Sequence, residues 1–219
     1  MKLGVSYQRR MVPDLQAVKR MIDGDEFGKV FAAELTVNNF RDDNYYNSSD
    51  YRGTWAVDGG GPFMQQASHY IDIYSWFFGK PEKVVSMLGT FVHNIETEDH
   101  GAALLRHPNG MIGSIVASTA AKPGFDARLE VHSEKGTFVL ENDVITTWAV
   151  EGIKNPSNSK DIKIFSGASS FAVKHTHLHE AVIKDFINAI KENREPIVNG
   201  KSARLTTEII LKIYNNRIS

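Results

Sequence analysis

The chain has 219 residues, of which 42% are hydrophobic and 23% charged, and a formal net charge of −1. That balance describes one large globular domain or two small ones with enough chain for a sizeable core, and it argues against a dedicated nucleic-acid binder, which needs a basic face. The lack of cysteine excludes disulfides, thiolate zinc sites and a cysteine nucleophile, and fits a cytoplasmic location. No apolar run reaches the ~18–20 residues that cross a bilayer, and the apolar stretch at residues 1–6 is too short for a secretory signal.

In chain order, residues 4–8 read as a short strand running into Arg9 and Arg10. An amphipathic helix follows at Pro13–Asp23, with Leu15, Val18, Met21 and Ile22 apolar, and Gly24 and Gly28 punctuate its end. Residues 29–38 alternate and are β-rich, so they predict a strand. Residues 39–54 have no period; Tyr45, Tyr46 and Tyr51 with Arg41 and Arg52 read equally well as an ordered loop over a site or as a surface excursion.

The centre of the chain is the run from Asp58 to Trp76. Three glycines (59–61) precede Pro62, which suits a first helical turn. The helical period then puts Phe63, Ala67, Tyr70, Ile71, Tyr74, Phe77 and Phe78 on one apolar face and Gln65, His69 and Asp72 on another. A histidine inside such a helix, beside an amide and a carboxylate, is a candidate for proton handling, although a lone helical histidine is more often structural. Gly79-Lys80-Pro81 ends the helix.

Short strands are predicted at 83–92, 99–106, 111–118, 127–132, 137–140, 144–148 and 162–165, an antiparallel meander of six or seven. Tight turns fall at Pro108-Asn109-Gly110, Glu134-Lys135-Gly136 and Asn142-Asp143. Residues 151–170 are polar and read as a loop around one strand. Helices close the chain at 179–193 and 202–216, the second capped by Ser202. Helices at both ends of a block of strands predict an α+β domain, an open and largely antiparallel sheet with helices on one face.

Several chemistries lack their motifs. There is no strand–G-x-G-x-x-G–helix unit, P-loop, H-E-x-x-H or G-x-S-x-G elbow. His175 and His179 are spaced to share a zinc ion, but no third ligand is evident, so no metal site is assigned. His177 is placed to reach a polar substrate.

The residues Gly53-Thr54-Trp55, Asp58-Gly59-Gly60-Gly61, Met64-Gln65-Gln66-Ala67-Ser68-His69-Tyr70-Ile71-Asp72, Trp76 and Gly79 resemble the central segment of the glucose–fructose oxidoreductase/inositol dehydrogenase (Gfo/Idh/MocA) family. So do the tail from His179 to Ile210 and the pieces Tyr7-Gln8-Arg9-Arg10 and Gly28-Lys29-Val30. The resemblance covers nearly the whole chain, and the spelling is most similar to sugar and nucleotide-sugar dehydrogenases. It implies that residues 1–219 are a single substrate-binding and oligomerisation domain, with the family's N-terminal Rossmann domain absent. That domain would bind NAD or NADP and supply a lysine beside the helix histidine. His69 matches that histidine and would exchange a proton with a sugar, polyol or nucleotide-sugar hydroxyl. Gln65 stands where the family has Asp or Asn, and an amide cannot act as a base. Gln65, Asp72, Arg10, Trp55 and His177 are expected to bind substrate, and Gly60 and Gly61 to meet the cofactor, with no tight dinucleotide binding by this chain alone. A homodimer or homotetramer through the sheet face is expected, with no nucleic-acid or membrane partner; the cofactor half could also come from a separate Rossmann-domain chain. The competing reading is a non-catalytic oligomerisation or ligand-binding module derived from the family.

Overall fold

A computed structural model describes residues 1–157 and 176–218. Seven strands form one sheet in the order β2-β3-β4-β1-β5-β6-β7. They are β1 (Val30–Asn38), β2 (Lys83–Gly89), β3 (His100–Arg106), β4 (Ile112–Ser118), β5 (Arg128–Ser133), β6 (Gly136–Glu141) and β7 (Val144–Val150). Among the described residues, five α-helices accompany them: α1 (Pro13–Asp23), α2 (Asp43–Asn47), α3 (Ser68–Phe78), α4 (Thr176–Lys191) and α5 (Gly200–Asn215).

The sheet is two antiparallel meanders joined by the first strand. β2-β3-β4 lie on one side and β5-β6-β7 on the other, and β1 runs parallel to β4 (Leu35 opposite Ile115) and antiparallel to β5 (Leu35 opposite Leu129). This corrects the single meander expected from sequence. Period-2 alternation marks β1 as a strand but carries no information on its neighbours.

One face of the sheet is sealed by α1, α3 and α5. Ala33, Leu35 and Val37 of β1, Ile115 and Ala117 of β4, and Val131 and Phe138 of β5 and β6 bury there against Leu15, Ile71, Tyr74, Ile209 and Ile213. The opposite face carries no helix among the described residues. Val85, Met87, Leu104 and Ile112 are 48%, 60%, 62% and 50% exposed on its β2-β3-β4 half.

Local chemistry sets the differences at element ends. Residues 4–8 do not form a strand. Gly4 makes one bridge to Asn199, and a 3-10 turn takes over at Gln8–Met11. The predicted start of the central helix at Pro62 also moves. The amide of Ala67 bonds Pro62 O, five residues back, at 2.8 Å, so a wide turn separates 61–67 from the regular helix. Asn199, not Ser202, caps α5 by accepting from Ser202 N. The Ser202 hydroxyl instead donates to Asn199 O and accepts from Arg10. The Asn142-Asp143 turn has positive φ at both residues (45° and 72°), the geometry of a two-residue hairpin whose twist matches the strands. The predicted strand at 162–165 and most of the loop around it lie outside the described residues. No described helix is long and apolar enough to cross a membrane.

Candidate active site

Helix α3 sorts the predicted polar residues into two environments. Asp72 turns inward and is fully buried. Its carboxylate accepts from Arg10 Nε and Nη2 at 2.8 and 2.6 Å and from Thr206 Oγ1 at 2.9 Å. Burial pushes the Asp72 carboxyl up, while the guanidinium and the hydroxyl pull it back. Arg10 is also completely buried; its last contacts are Ser202 Oγ at 2.9 Å and the Trp76 ring at 5.5 Å. Arg10 and Asp72, expected to bind substrate, form a forked, bidentate pair inside the protein that ties the N-terminal 3-10 turn, α3 and α5 together.

Gly60 and Gly61 also sit in close packing. Both are buried. A Cβ on Gly60 would lie 2.2 Å from Tyr214 Oη, and one on Gly61 would lie 1.9 Å from Glu98 O. Gly61 N donates to Glu98 Oε2 at 3.1 Å. The glycines let the chain pass against Tyr214 and Glu98.

His69 keeps a half-buried position in the first turn of α3. The Tyr7 ring meets it edge-on at 5.6 Å. Its Nδ1 is buried and has no hydrogen-bond partner among the described residues. Burial first, then the neighbouring Arg9 guanidinium, then His179 push its pKa down to about 4. The imidazole is thus neutral at pH 7, with its proton affinity lowered in the absence of a ligand.

Beside it lies a cavity of about 260 Å³ lined by Arg9, Asn39, Arg41, Tyr45, Gln65, Gln66, Tyr70, Phe125, Asp126, Ala127 and Asn142. His69 is not in that lining, but the residues around it are. Gln65 is one turn before it and Tyr70 one residue after. The Arg9 guanidinium stacks 3.9 Å from the Tyr70 ring centre and pairs with Asp143. The β6–β7 turn supplies the far wall: Asn142 accepts from Tyr70 Oη at 3.0 Å and donates to Asp126 at 2.6 Å. Gln65 is exposed and donates through Nε2 to Asp58 O.

Trp55 stands outside the cavity, 39% exposed, its indole donating to Glu96 O at 2.9 Å. His177 is exposed at the start of α4, and His179 Nδ1 sits 3.4 Å from Ser6 Oγ. His175 lies outside the described residues. Sequence reasoning missed Arg9, Tyr7 and Asn142 as neighbours of the site, because only the fold brings the N-terminal turn and the β6–β7 turn to the head of α3. For Asn142, the tight-turn signal itself was the visible clue.

Residues 15–139 match the model of the GFO/IDH/MocA C-terminal domain. The chain belongs to this family. It is 26% identical over 209 residues to inositol 2-dehydrogenase of Rhizobium meliloti, covering 91% of this chain and 58% of the relative. Myo-inositol 2-dehydrogenase of Thermotoga maritima is 23% identical over 208 residues, covering 93% and 58%. Among solved structures, the WlbA dehydrogenase of Bordetella pertussis in complex with NADH and UDP-GlcNAcA superposes with a TM-score of 0.82 at 28% identity, covering 98% of this chain and 61% of that one. The chain thus spans about three fifths of the length of these relatives.

Proposed function

We propose that this chain is the substrate half of an NAD(P)-dependent oxidoreductase that acts on a sugar, polyol or nucleotide-sugar hydroxyl, with His69 as the proton acceptor and donor. The carrying observation is a neutral, half-buried imidazole at the head of α3 whose helix neighbours line a polar cavity. The family membership and the ligands named for the WlbA relative support the substrate class. The cavity wall of amides, a carboxylate and tyrosines suits hydroxyl-rich ligands, which need donors and acceptors in equal measure. A proton leaves the hydroxyl for His69 as the carbon is oxidised, and returns in the reverse direction. NAD or NADP, held by a dinucleotide-binding domain as the family resemblance implies, would take the hydride that leaves the same carbon. The bare half of the sheet, where Val85 faces Leu104 and Met87 faces Ala102, would pair with a second copy in a homodimer or homotetramer. Light scattering that finds only monomer rejects that part alone.

The test of the catalytic part joins the chain to a dinucleotide-binding domain and follows NAD reduction with myo-inositol and with UDP-GlcNAcA. His69→Ala is expected to lower kcat by about 10²–10⁴-fold with KM little changed. Substrate-dependent reduction that His69→Ala leaves intact rejects the role.

A further inference from the structure

The loop at 39–54 carries two arginines that the reaction above does not use. Arg41 Nε and Arg52 Nε are both buried without a hydrogen-bond partner among the described residues, while the two side chains as a whole are half-exposed. Arg41 Nη1 makes one bond, to Phe40 O at 3.3 Å. Neither guanidinium is within ion-pair distance of a carboxylate among the described residues, although Asp42, Asp43 and Asp50 are close in sequence. Both flank the ring of Tyr45, with their Cζ atoms 5.1 and 4.1 Å from its centre, so the two cations lie within about 9.2 Å of each other. Two like charges held beside one ring make this part of the wall electropositive, which favours an anion next to them.

Their support is rigid. Arg41 N donates to Thr119 O at 2.8 Å, and Arg41 O lies 2.8 Å from His93 Nε2. His93 is in turn held by Asp99, which accepts three backbone amides from Phe91, Val92 and His93. Tyr46 Oη donates to Thr119 Oγ1 at 2.7 Å, and Gln66 Nε2 donates to Tyr45 Oη at 3.2 Å. The loop is thus pinned around two guanidiniums that keep most of their donors unspent, and Arg41, Tyr45 and Gln66 line the cavity beside α3.

We infer that Arg41 and Arg52, with Tyr45 between them, form a subsite for an oxyanion, phosphoryl or carboxylate, carried by the sugar ligand. This rests on the proposed function and narrows its substrate to a charged sugar. Planar forks fit either oxyanion through paired N–H donors. Asp126, across the cavity, is left to accept sugar hydroxyls.

The test titrates the ¹⁵N-labelled chain with inorganic pyrophosphate, glucuronate and, as a neutral control, glucose, and follows amide shifts by NMR. At least one anion is expected to bind tighter than glucose, shifting the amides of residues 41, 45, 52 and 66. Arg41→Gln and Arg52→Gln should each weaken it by about tenfold, and Arg20→Gln on α1 should not. Pyrophosphate preferred over glucuronate identifies a phosphoryl source, and the reverse identifies a sugar carboxylate. Binding no tighter than glucose, or indifferent to both loop substitutions, overturns the subsite. In that event, glucose shifts that His69→Ala still abolishes leave the proposed function standing; glucose shifts indifferent to His69→Ala count against that function instead.

Discussion

Replacing Asp72 by Asn tests whether the polar residues of α3 divide as described. Asn has the same shape, so no cavity opens and the change isolates charge. It leaves the Arg10 guanidinium, which is fully buried, with no counter-ion, and turns one of the two accepting oxygens, which share bonds at 2.6, 2.8 and 2.9 Å, into an NH2 donor that faces another donor. Breaking a buried pair by removing one partner costs about 3–5 kcal/mol. For a domain of this length that is a fall in Tm of about 6–20 °C, set against a total stability of about 5–15 kcal/mol. Urea unfolding followed by circular dichroism at 222 nm measures it. The double substitution Arg10→Met with Asp72→Leu removes both charges and should recover most of the loss, because two apolar side chains need no partner there. A loss below about 1 kcal/mol for Asp72→Asn, the size of a solvated surface pair, would show that the carboxylate faces water or ligand, and the structural reading of Arg10 and Asp72 would fail.

The same geometry sets three further outcomes. Gly60→Ala and Gly61→Ala should each destabilise by about 1–3 kcal/mol through overpacking against Tyr214 and Glu98, with or without nucleotide; unchanged melting with lost cofactor binding would restore the glycines to a cofactor site. His69 has a folded pKa near 4, against an ordinary value of 6.5. Between those values the unfolded chain holds a proton that the native chain does not. His69 therefore imposes no penalty above pH 6.5 and an increasing one as pH falls toward 4, so the urea midpoint of the wild type should fall more between about pH 7 and pH 5 than that of His69→Gln, and parallel profiles refute it. Asp99 behaves in the opposite sense. Burial raises its pKa, but the amides of His93, Val92 and Phe91 outweigh this and hold it below the usual range. Its contribution is present above pH 3.8 and lost as pH falls through the depressed value; Asp99→Asn should remove that dependence and free the 91–93 turn in hydrogen exchange.

The sequence carried the element types well because they depend on local period. The β3 to β7 strands were legible to within about two residues. What it could not carry was adjacency. β1 between β4 and β5 depends on a parallel pairing across more than 70 residues of chain, which alternation does not encode. The partners of Asp72 were hidden for the same reason. A helical wheel places it beside Gln65 and His69, but its surroundings are set by Arg10 and Thr206, residues 62 and 134 positions away. Gly60 and Gly61 looked open because a glycine run signals close approach without saying what approaches; at Gly60 it is Tyr214. Arg41 and Arg52 with the loop tyrosines were visible as a composition, and the fold adds that their neighbours are tied down while their Nε donors are not.

Four arginines therefore separate structure from function more sharply than the histidine does. Arg10 and Arg9 are buried, and each has an aspartate supplied by a distant element, Asp72 on α3 and Asp143 on the β6–β7 turn. Such pairs satisfy the rule that a sealed charge needs a counter-charge. Arg41 and Arg52 are half-exposed and have no carboxylate partner among the described residues, on a loop whose backbone and tyrosines are held by Thr119, His93 and Gln66. Arg41 lines the same cavity as Gln66 and Tyr45, and Arg52 stacks on that same Tyr45 ring; the proposed oxyanion subsite rests on that arrangement and not on the paired arginines.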